Sequence, residues 1–252
     1  MGATMAMATS SGDWGQLVLT NDDGYGAPGL EALERAIGDR GEIWVIAPAA
    51  QCSGCGHQVT THAPIRIEER GPRRFAIHGS PADCIRVAVH VLDLRDAWVL
   101  SGINPGGNLG VDIHISGTVA AAREAAIWGL PAIALSHYIA SGKTIDWDWA
   151  ARQAVRTLDR ARSQPLPVGS FWNVNFPHLD DGETEPPFVE CPNDPSPLAV
   201  SYGIESGEAR YAGRYADRPR RSGSDVDHCF SGRIAMTALS VIMPWDRIEP
   251  GP

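Results

Sequence analysis

The sequence predicts an α/β fold, a mostly parallel sheet flanked by helices. Two observations carry that reading. The chain opens strand–helix–strand, with apolar runs at 16–20 and 43–47 on either side of a helical pattern, the unit of a parallel sheet with right-handed crossovers. Apolar runs then alternate with helical segments as far as residue 176. At 252 residues the chain suffices for one large domain, and 43% hydrophobic content with 20% charge suits a globular core rather than a disordered chain.

Residues 16–20, Gln-Leu-Val-Leu-Thr, read as a buried strand. The next helix runs from Pro28, near its first position, to Ile37, with Gly38 as its stop. Residues 43–47 are the second strand, cut off by Pro48. Segments 58–61, 65–68 and 74–78 read as short strands, 82–92 as helix and 97–101 as a third clear strand. An alanine-rich helix follows from about Thr118 to Trp128, ended by Gly129. Residues 132–135 predict a strand, about 146–162 a helix and 171–176 another strand. Between 177 and 232, prolines, glycines and charges replace apolar periodicity, so this stretch predicts long loops or an extended hairpin arm. Residues 233–242 regain strand-like alternation. The expected organisation is a disordered leader at 1–13 and a single domain over 14–252. Its core is about 14–176 plus 233–242, and its arm about 177–232.

Composition narrows the function. Lys+Arg is 21 and Asp+Glu 30, a net charge of −9, which argues against nucleic acid polymers and anionic membranes as partners. No run approaches the ~18 apolar residues of a membrane helix. The start lacks the basic and apolar regions of a signal peptide. An odd, sparse set of 5 cysteines predicts a reduced, cytoplasmic protein. Lys143 is the single lysine, so lysine chemistry has one candidate.

Three motifs mislead. Gly24-Tyr25-Gly26-Ala27-Pro28-Gly29 spells a dinucleotide fingerprint, but Asp22 and Asp23 directly before it would repel a pyrophosphate unless a cation stood between. Gly142-Lys143-Thr144 resembles the end of a P-loop, but His137 stands where the first glycine belongs. Cys52-Ser53-Gly54-Cys55 has no second pair for structural zinc. A redox role is open to it, and two incidental loop cysteines is the simpler reading.

The informative pattern is where polar residues stand relative to strands. Asp22 and Asp23 follow the first strand, Ser53 the second and Asn104 the strand 97–101. In an open parallel sheet, ligands bind at the carboxyl ends of the strands. Two carboxylates, a hydroxyl and an amide oxygen would meet there, hard donors suited to Mg²⁺ or Mn²⁺. Taken alone, Asn-Asp-Asp-Gly is equally good turn chemistry. A glycine-rich loop, Ser101 to Gly110, then leads to Ser116-Gly117-Thr118 at the start of the alanine-rich helix. Free N–H groups and the helix dipole make such a start a phosphate cradle, although Ser116 is also an ordinary N-cap. A cation site beside a phosphate site suggests metal-assisted hydrolysis of a phosphate ester.

These same residues resemble a known family. Leu19-Thr-Asn-Asp-Asp-Gly-Tyr-Gly-Ala-Pro-Gly-Leu30, Ser101-Gly-Ile-Asn-Pro-Gly-Gly-Asn-Leu-Gly110 and Ile115-Ser-Gly-Thr-Val-Ala-Ala-Ala-Arg-Glu124 are similar to motifs of the SurE stationary-phase survival family of 5′/3′-nucleotidases. Gly79-Ser-Pro-Ala-Asp-Cys84 and Asn173-Val-Asn-Phe-Pro177 add two more, in the expected order. The resemblance implies a three-layer Rossmann-like core with an extended C-terminal arm, exchanged in a homodimer or a dimer of dimers. It implies hydrolysis of nucleoside 5′- and 3′-monophosphates with one divalent cation per subunit, Mg²⁺ or Mn²⁺. The metal ligands fall on Asp22, Asp23, Ser53 and Asn104. Phosphate binding falls on Asn108, Ser116, Gly117 and Thr118, and catalysis on Asp22 and Asp23, with either a water or an aspartate as nucleophile. The chain departs from the family pattern in two places: in the loop after the second strand an Asp-Arg pair becomes Ala49-Ala50 and an Asn becomes His57, and a late Ser-Val-Thr-Pro-Leu becomes Ala235-Met-Thr-Ala-Leu239. Those departures leave two alternatives: a non-catalytic nucleotide-binding homologue, or the same chemistry on another phosphate ester or short polyphosphate. His57 is a candidate substrate contact or proton donor, or simply a solvated loop residue.

Overall fold

The structure, a computed structural model, describes residues 14–179, 185–198 and 200–242. The leader expected at 1–13 lies outside the described residues. In chain order the elements are β1 (Gln16–Thr20), α1 (Pro28–Ile37), β2 (Glu42–Pro48), β3 (Ile67–Gly71), β4 (Arg74–Ile77), α2 (Pro81–His90), β5 (Trp98–Pro105) and α3 (Gly117–Ile127). There follow β6 (Ala132–His137), α4 (Trp147–Ser163), β7 (Ser170–Phe176), β8 (Phe188–Glu190), β9 (Tyr202–Glu205), β10 (Glu208–Tyr211), α5 (Asp225–Phe230) and β11 (Ile234–Ser240). A 9-stranded sheet has the order β3-β4-β2-β1-β5-β6-β7-β11-β8. From β4 to β7 all neighbours run parallel, and β3 and β11 pair antiparallel at the flanks.

Side-chain alternation along β1 builds two cores. Leu17 and Leu19 pack on one face with Leu33 of α1 and Leu158 of α4. Val18 packs on the other with Ile85 of α2 and Ala122 of α3. Helices on both faces make the α/β sandwich of three layers. The glycine-rich fingerprint has a packing explanation: a Cβ on Gly29 would stand 2.0 Å from the Ile103 carbonyl oxygen, so α1 lies on β5 only because residue 29 is glycine. Ser80 and Asp83 form a reciprocal capping box at the start of α2. In α3, Ala120, Ala121, Ala122 and Ala125 are fully buried, and these small side chains bring the helix close to both sheet and α2.

This order creates a switch point. The chain moves outward from β1 to β2 and β4, then returns through α2 to β5 on the other side of β1. The crevice at the carboxyl ends of β1 and β5 is where ligands bind in such sheets.

Two expectations need correction. Residues 58–61 form no strand, because Asp83 captures Thr60 through its backbone N–H at 2.9 Å and its hydroxyl at 2.8 Å, taking the donor a ladder would need. The stretch 177–232 is not uniformly an arm. Phe188–Glu190 pairs parallel with β11, and the guanidinium groups of Arg156 and Arg160 lie over the Phe188 ring. Val226 and Cys229 of α5 are buried with Leu109 and Ala235. A strand this short and a helix this short leave no periodicity to read. The hairpin β9–β10 pairs with nothing else in the described chain, and every residue of both strands is exposed.

The tight seat of α3 is testable. Ala121→Leu adds volume where no space exists and should cost about 1–3 kcal/mol, read as a lower urea midpoint at unchanged slope.

Candidate active site

Asp22 and Asp23 follow β1 at the switch point. Asp22 is buried, 4% exposed, and faces the N-terminus of α3. The Thr118 hydroxyl donates to Asp22 Oδ1 at 2.6 Å, and the N–H groups of Gly117 and Thr118 also bond the carboxylate. Burial outweighs these bonds and holds the Asp22 carboxyl above the usual range. Gly117 is required by this approach, since a Cβ there would come within 2.7 Å of Asp22 Cβ. Asp23 is partly buried beside it. Burial first, and then the charge of Asp22, push its carboxyl up to about 6. Among the described residues neither aspartate has a salt bridge.

The loop after β2 folds over this pair. Cys52 N–H donates to the Asp22 carbonyl at 2.7 Å, and Gly56 N–H to the Ile115 carbonyl at 3.0 Å. The loop thus spans from the aspartates to α3, with exposed Ser53 at its crest, its hydroxyl accepting from Gln51 Nε2 at 2.9 Å. Asn104, at the end of β5, donates through Nδ2 to the Gly106 carbonyl at 2.8 Å, and among the described residues its Oδ1 is unengaged. An open cavity of about 390 Å³ adjoins the loop, lined by Ala49, Ala50, Cys52, Cys55, Ile77 and Ser80 among others.

The expected phosphate donors are partly committed elsewhere. Ser116 caps α3, accepting from Val119 N–H at 3.1 Å. The hydroxyl of Thr118 and the amides of 117 and 118 serve Asp22, which ties the two halves of the expected site together. Asn108 is an anchor as well as a candidate ligand. Its N–H donates to Asn175 Oδ1 at 2.8 Å, and its carbonyl accepts from Asn173 and Asn175 side chains at 2.9 and 3.1 Å. Its own Nδ2 donates to Ser136 Oγ at 2.8 Å.

His57 is not a solvated loop residue. The carboxylate of Glu124, on α3, accepts from His57 Nε2 at 2.7 Å, from Arg86 Nε at 2.7 Å and from Trp128 Nε1 at 2.8 Å. Burial would raise the Glu124 carboxyl, but these three donors outweigh it and hold it at about 2.

Sequence reasoning missed a second support. The side chain of Arg218 is buried and donates to Asp112 Oδ2 at 2.6 Å and to the Leu109 carbonyl at 3.2 Å, while Tyr215 OH donates to Asp112 at 2.7 Å. Asp225 accepts from Gly110 N–H at 2.8 Å, and Asn193 Nδ2 donates to the Gly110 carbonyl at 2.9 Å. These residues come from the late, loop-rich part of the chain and clamp the loop between Asn108 and Ser116. Their sequence spacing carries no signal; only the return of β11 to the sheet hints that the segment lies close.

Fold and site together define a doubly wound α/β protein whose ligand crevice holds a carboxylate pair against a helix N-terminus. The sequence profile described as Survival protein SurE matches residues 17–190. Relatives from Synechocystis sp. and Nostoc sp., both named "Putative 5'-nucleotidase alr3139", are 51% and 49% identical, covering 89% of this chain and 99% of theirs. "5'-nucleotidase SurE" of Geotalea daltonii is 43% identical over 69% of this chain and 70% of its own. The crystal structure of SurE protein from Aquifex aeolicus superposes with a TM-score of 0.81 at 29% identity, covering 92% of this chain and 96% of that one. The chain belongs to the SurE family.

Glu124 supports an acid-stability prediction. Its carboxyl lies below the ordinary glutamate value, so its contribution is complete above about pH 4.5 and is lost as pH falls toward about 2. Glu124→Gln should flatten that acid limb in urea melts taken between those limits. Arg218→Met leaves Asp112 buried without its partner and should cost about 3–5 kcal/mol, measured the same way at neutral pH.

Proposed function

We propose that this protein is a nucleotidase that hydrolyses nucleoside 5′- and 3′-monophosphates to nucleoside and phosphate, using one divalent cation per subunit, Mg²⁺ or Mn²⁺. The observation that carries the reading is the carboxylate pair, Asp22 and Asp23, set without a cationic side chain against the first turn of α3. The names of the relatives support the substrate class; 3′ activity and the cation rest on the family resemblance and on the chemistry of the donors.

The donor set fits a hard cation. Asp22 and Asp23 would hold it, with Ser53 Oγ and Asn104 Oδ1 as neutral oxygens. Among the described residues no group of three or more His, Cys, Asp or Glu side chains is placed to hold a metal, so the proposed site depends on the two carboxylates and on neutral oxygens, with water completing the shell. When bound, such a cation neutralises phosphate charge and polarises the phosphoryl oxygens. Thr118 fixes the Asp22 carboxylate, and Gly117 lets it approach. The α3 dipole, with Ser116 at the cap and the remaining Asn108 amide hydrogen, favours the dianion in the crevice. The hydrogen bonds that the Asp22 carboxylate already accepts suit it to a holding role, and they leave a water or Asp23 as the nucleophile. The protein acts in the cytoplasm on a free nucleotide rather than on a nucleic acid polymer or a membrane. The hairpin β9–β10 exposes Tyr202, Ile204 and Tyr211, and a lone two-stranded hairpin is marginal in water. Its proposed role is to pair subunits as a homodimer or dimer of dimers.

The test is phosphate release from a panel of nucleoside 5′- and 3′-monophosphates, with Mn²⁺, with Mg²⁺ and with EDTA. EDTA should abolish release. Asp23→Asn should lower kcat/KM at least about a hundredfold while melting like the parent protein. Because Asp23 is held at about 6, protons compete with the cation below that pH, so half-saturating Mn²⁺ should rise as pH falls through about 6. Release that ignores EDTA would refute the cation, and near-normal turnover of the variant would refute the site.

A further inference from the structure

We propose that Cys52 and Cys55 are a modification site, a dithiol that closes reversibly to a disulfide and in doing so disables the neighbouring crevice. The inference rests on the proposed role of Ser53 and Asp22 in that crevice.

Local geometry brings the main chain of the two cysteines together. Cys55 N–H donates to the Cys52 carbonyl at 3.3 Å, closing a turn with Gly54 at φ 72°. Such a turn keeps its end Cα atoms within about 7 Å, and a disulfide spans about 4.4–6.8 Å between Cα atoms. Both thiols are partly exposed and line the open cavity of about 390 Å³, so a small reagent reaches them. Their present partners are weak: Cys52 Sγ lies 3.5 Å from the Ala50 carbonyl and 3.8 Å from that of Gly79, and Cys55 Sγ lies 3.5 Å from the Gly56 carbonyl. Cys84 and Cys229 are buried; Cys191 is partly exposed like the pair, so the disulfide map has to separate a mixed disulfide at Cys191 from a link between Cys52 and Cys55.

The turn also sits where a change of shape matters. Cys52 N–H holds the Asp22 carbonyl, and Gly56 N–H holds Ile115 just before α3. Cys55 Sγ packs on Gly117, lying 3.1 Å from where a Cβ would stand. Drawing Cys55 Sγ toward Cys52 takes it off the first turn of α3 and moves Ser53 between them. A displacement of about an ångström in a site of this kind can cost about a hundredfold in rate.

The chemistry is thiol–disulfide exchange. Two S–H bonds break and one S–S bond forms, and a low-molecular-weight disulfide such as oxidised glutathione takes up the two hydrogens and leaves as two thiols. A dithiol reductant reverses the step.

The experiment treats the folded, full-length protein with oxidised glutathione and maps disulfides by mass spectrometry. The expected product is two hydrogens lighter, linked Cys52 to Cys55, and restored by dithiothreitol. Hydrogen exchange should rise at 52–56 and 115–118, and phosphate release should drop at least about tenfold and recover on reduction. The double variant Cys52→Ser, Cys55→Ser should be indifferent to the oxidant. The proposal is overturned if the folded protein forms no such link while the urea-unfolded chain does. It is equally overturned if the link forms without altering exchange at 115–118. Should the reduced protein release no phosphate with any cation, the nucleotidase reading fails, and the disulfide map and exchange data still decide this proposal by themselves.

Discussion

Asp22 is a carboxylate placed where a carboxylate is costly. It sits at the end of a buried strand, almost out of water, beside a second acidic residue. Burial of that kind is tolerated when donors and a favourable dipole face the group, and α3 supplies both through Thr118, the amide of Gly117 and its own N-terminus. The requirement propagates. Position 117 has to be glycine, because any side chain would collide with Asp22. The following turns have to be small, because α3 must lie deep against the sheet to bring its first residues there. The loop after β2 must bend back over Asp22, held by the Cys52 amide. The compensation is incomplete, since the Asp22 carboxyl still lies above its usual range. That shortfall of positive charge is the ground for the cation proposed above.

The loop leading into α3 cannot hold that position alone. It is rich in glycine and bends between β5 and the helix, so its conformation is set by what grips it. Asn173 and Asn175 from β7 hold the main chain of Asn108 on one side. Arg218, Tyr215, Asn193 and Asp225 hold 109–112 on the other. The late part of the chain, which looks like an appendage in sequence, is therefore part of the wall that positions the crevice. Among the described strands, β9 and β10 are the pair that joins no strand of the main sheet.

What could be read from the sequence follows from the range of the forces involved. Strands such as 16–20 and the helix Pro28–Ile37 announce themselves because neighbouring residues set their periodicity and their caps. Asp22, Asp23, Ser53 and Asn104 could be nominated as candidates because strand ends converge in a parallel sheet and each residue lies at or soon after such an end. The double use of Thr118 was not findable, since one hydroxyl at a helix start looks like a cap whichever group it serves. Nor was the Arg218–Asp112 pair, which joins positions 106 residues apart through burial alone. The false strand at 58–61 has the same origin, because the competitor for Thr60 was a cap residue of α2 that local pattern does not reveal.

The departures around 49–57 take on a different meaning in this frame. A loop that lost its usual charged pair would be expected to loosen, yet this one is fastened at three places. Cys52 binds the main chain at Asp22, Gly56 binds it at Ile115, and His57 reaches Glu124 on α3. Glu124 in turn gathers Arg86 from α2 and Trp128, so the histidine joins an existing buried hub. The alanines at 49 and 50 leave the adjoining cavity small-walled and uncharged at that point. The altered loop thus keeps the backbone geometry that the carboxylate pair needs. What the exchange at 49 and 50 alters is the lining of that cavity, and the main-chain bonds that hold the loop to Asp22 and to the start of α3 are untouched by it.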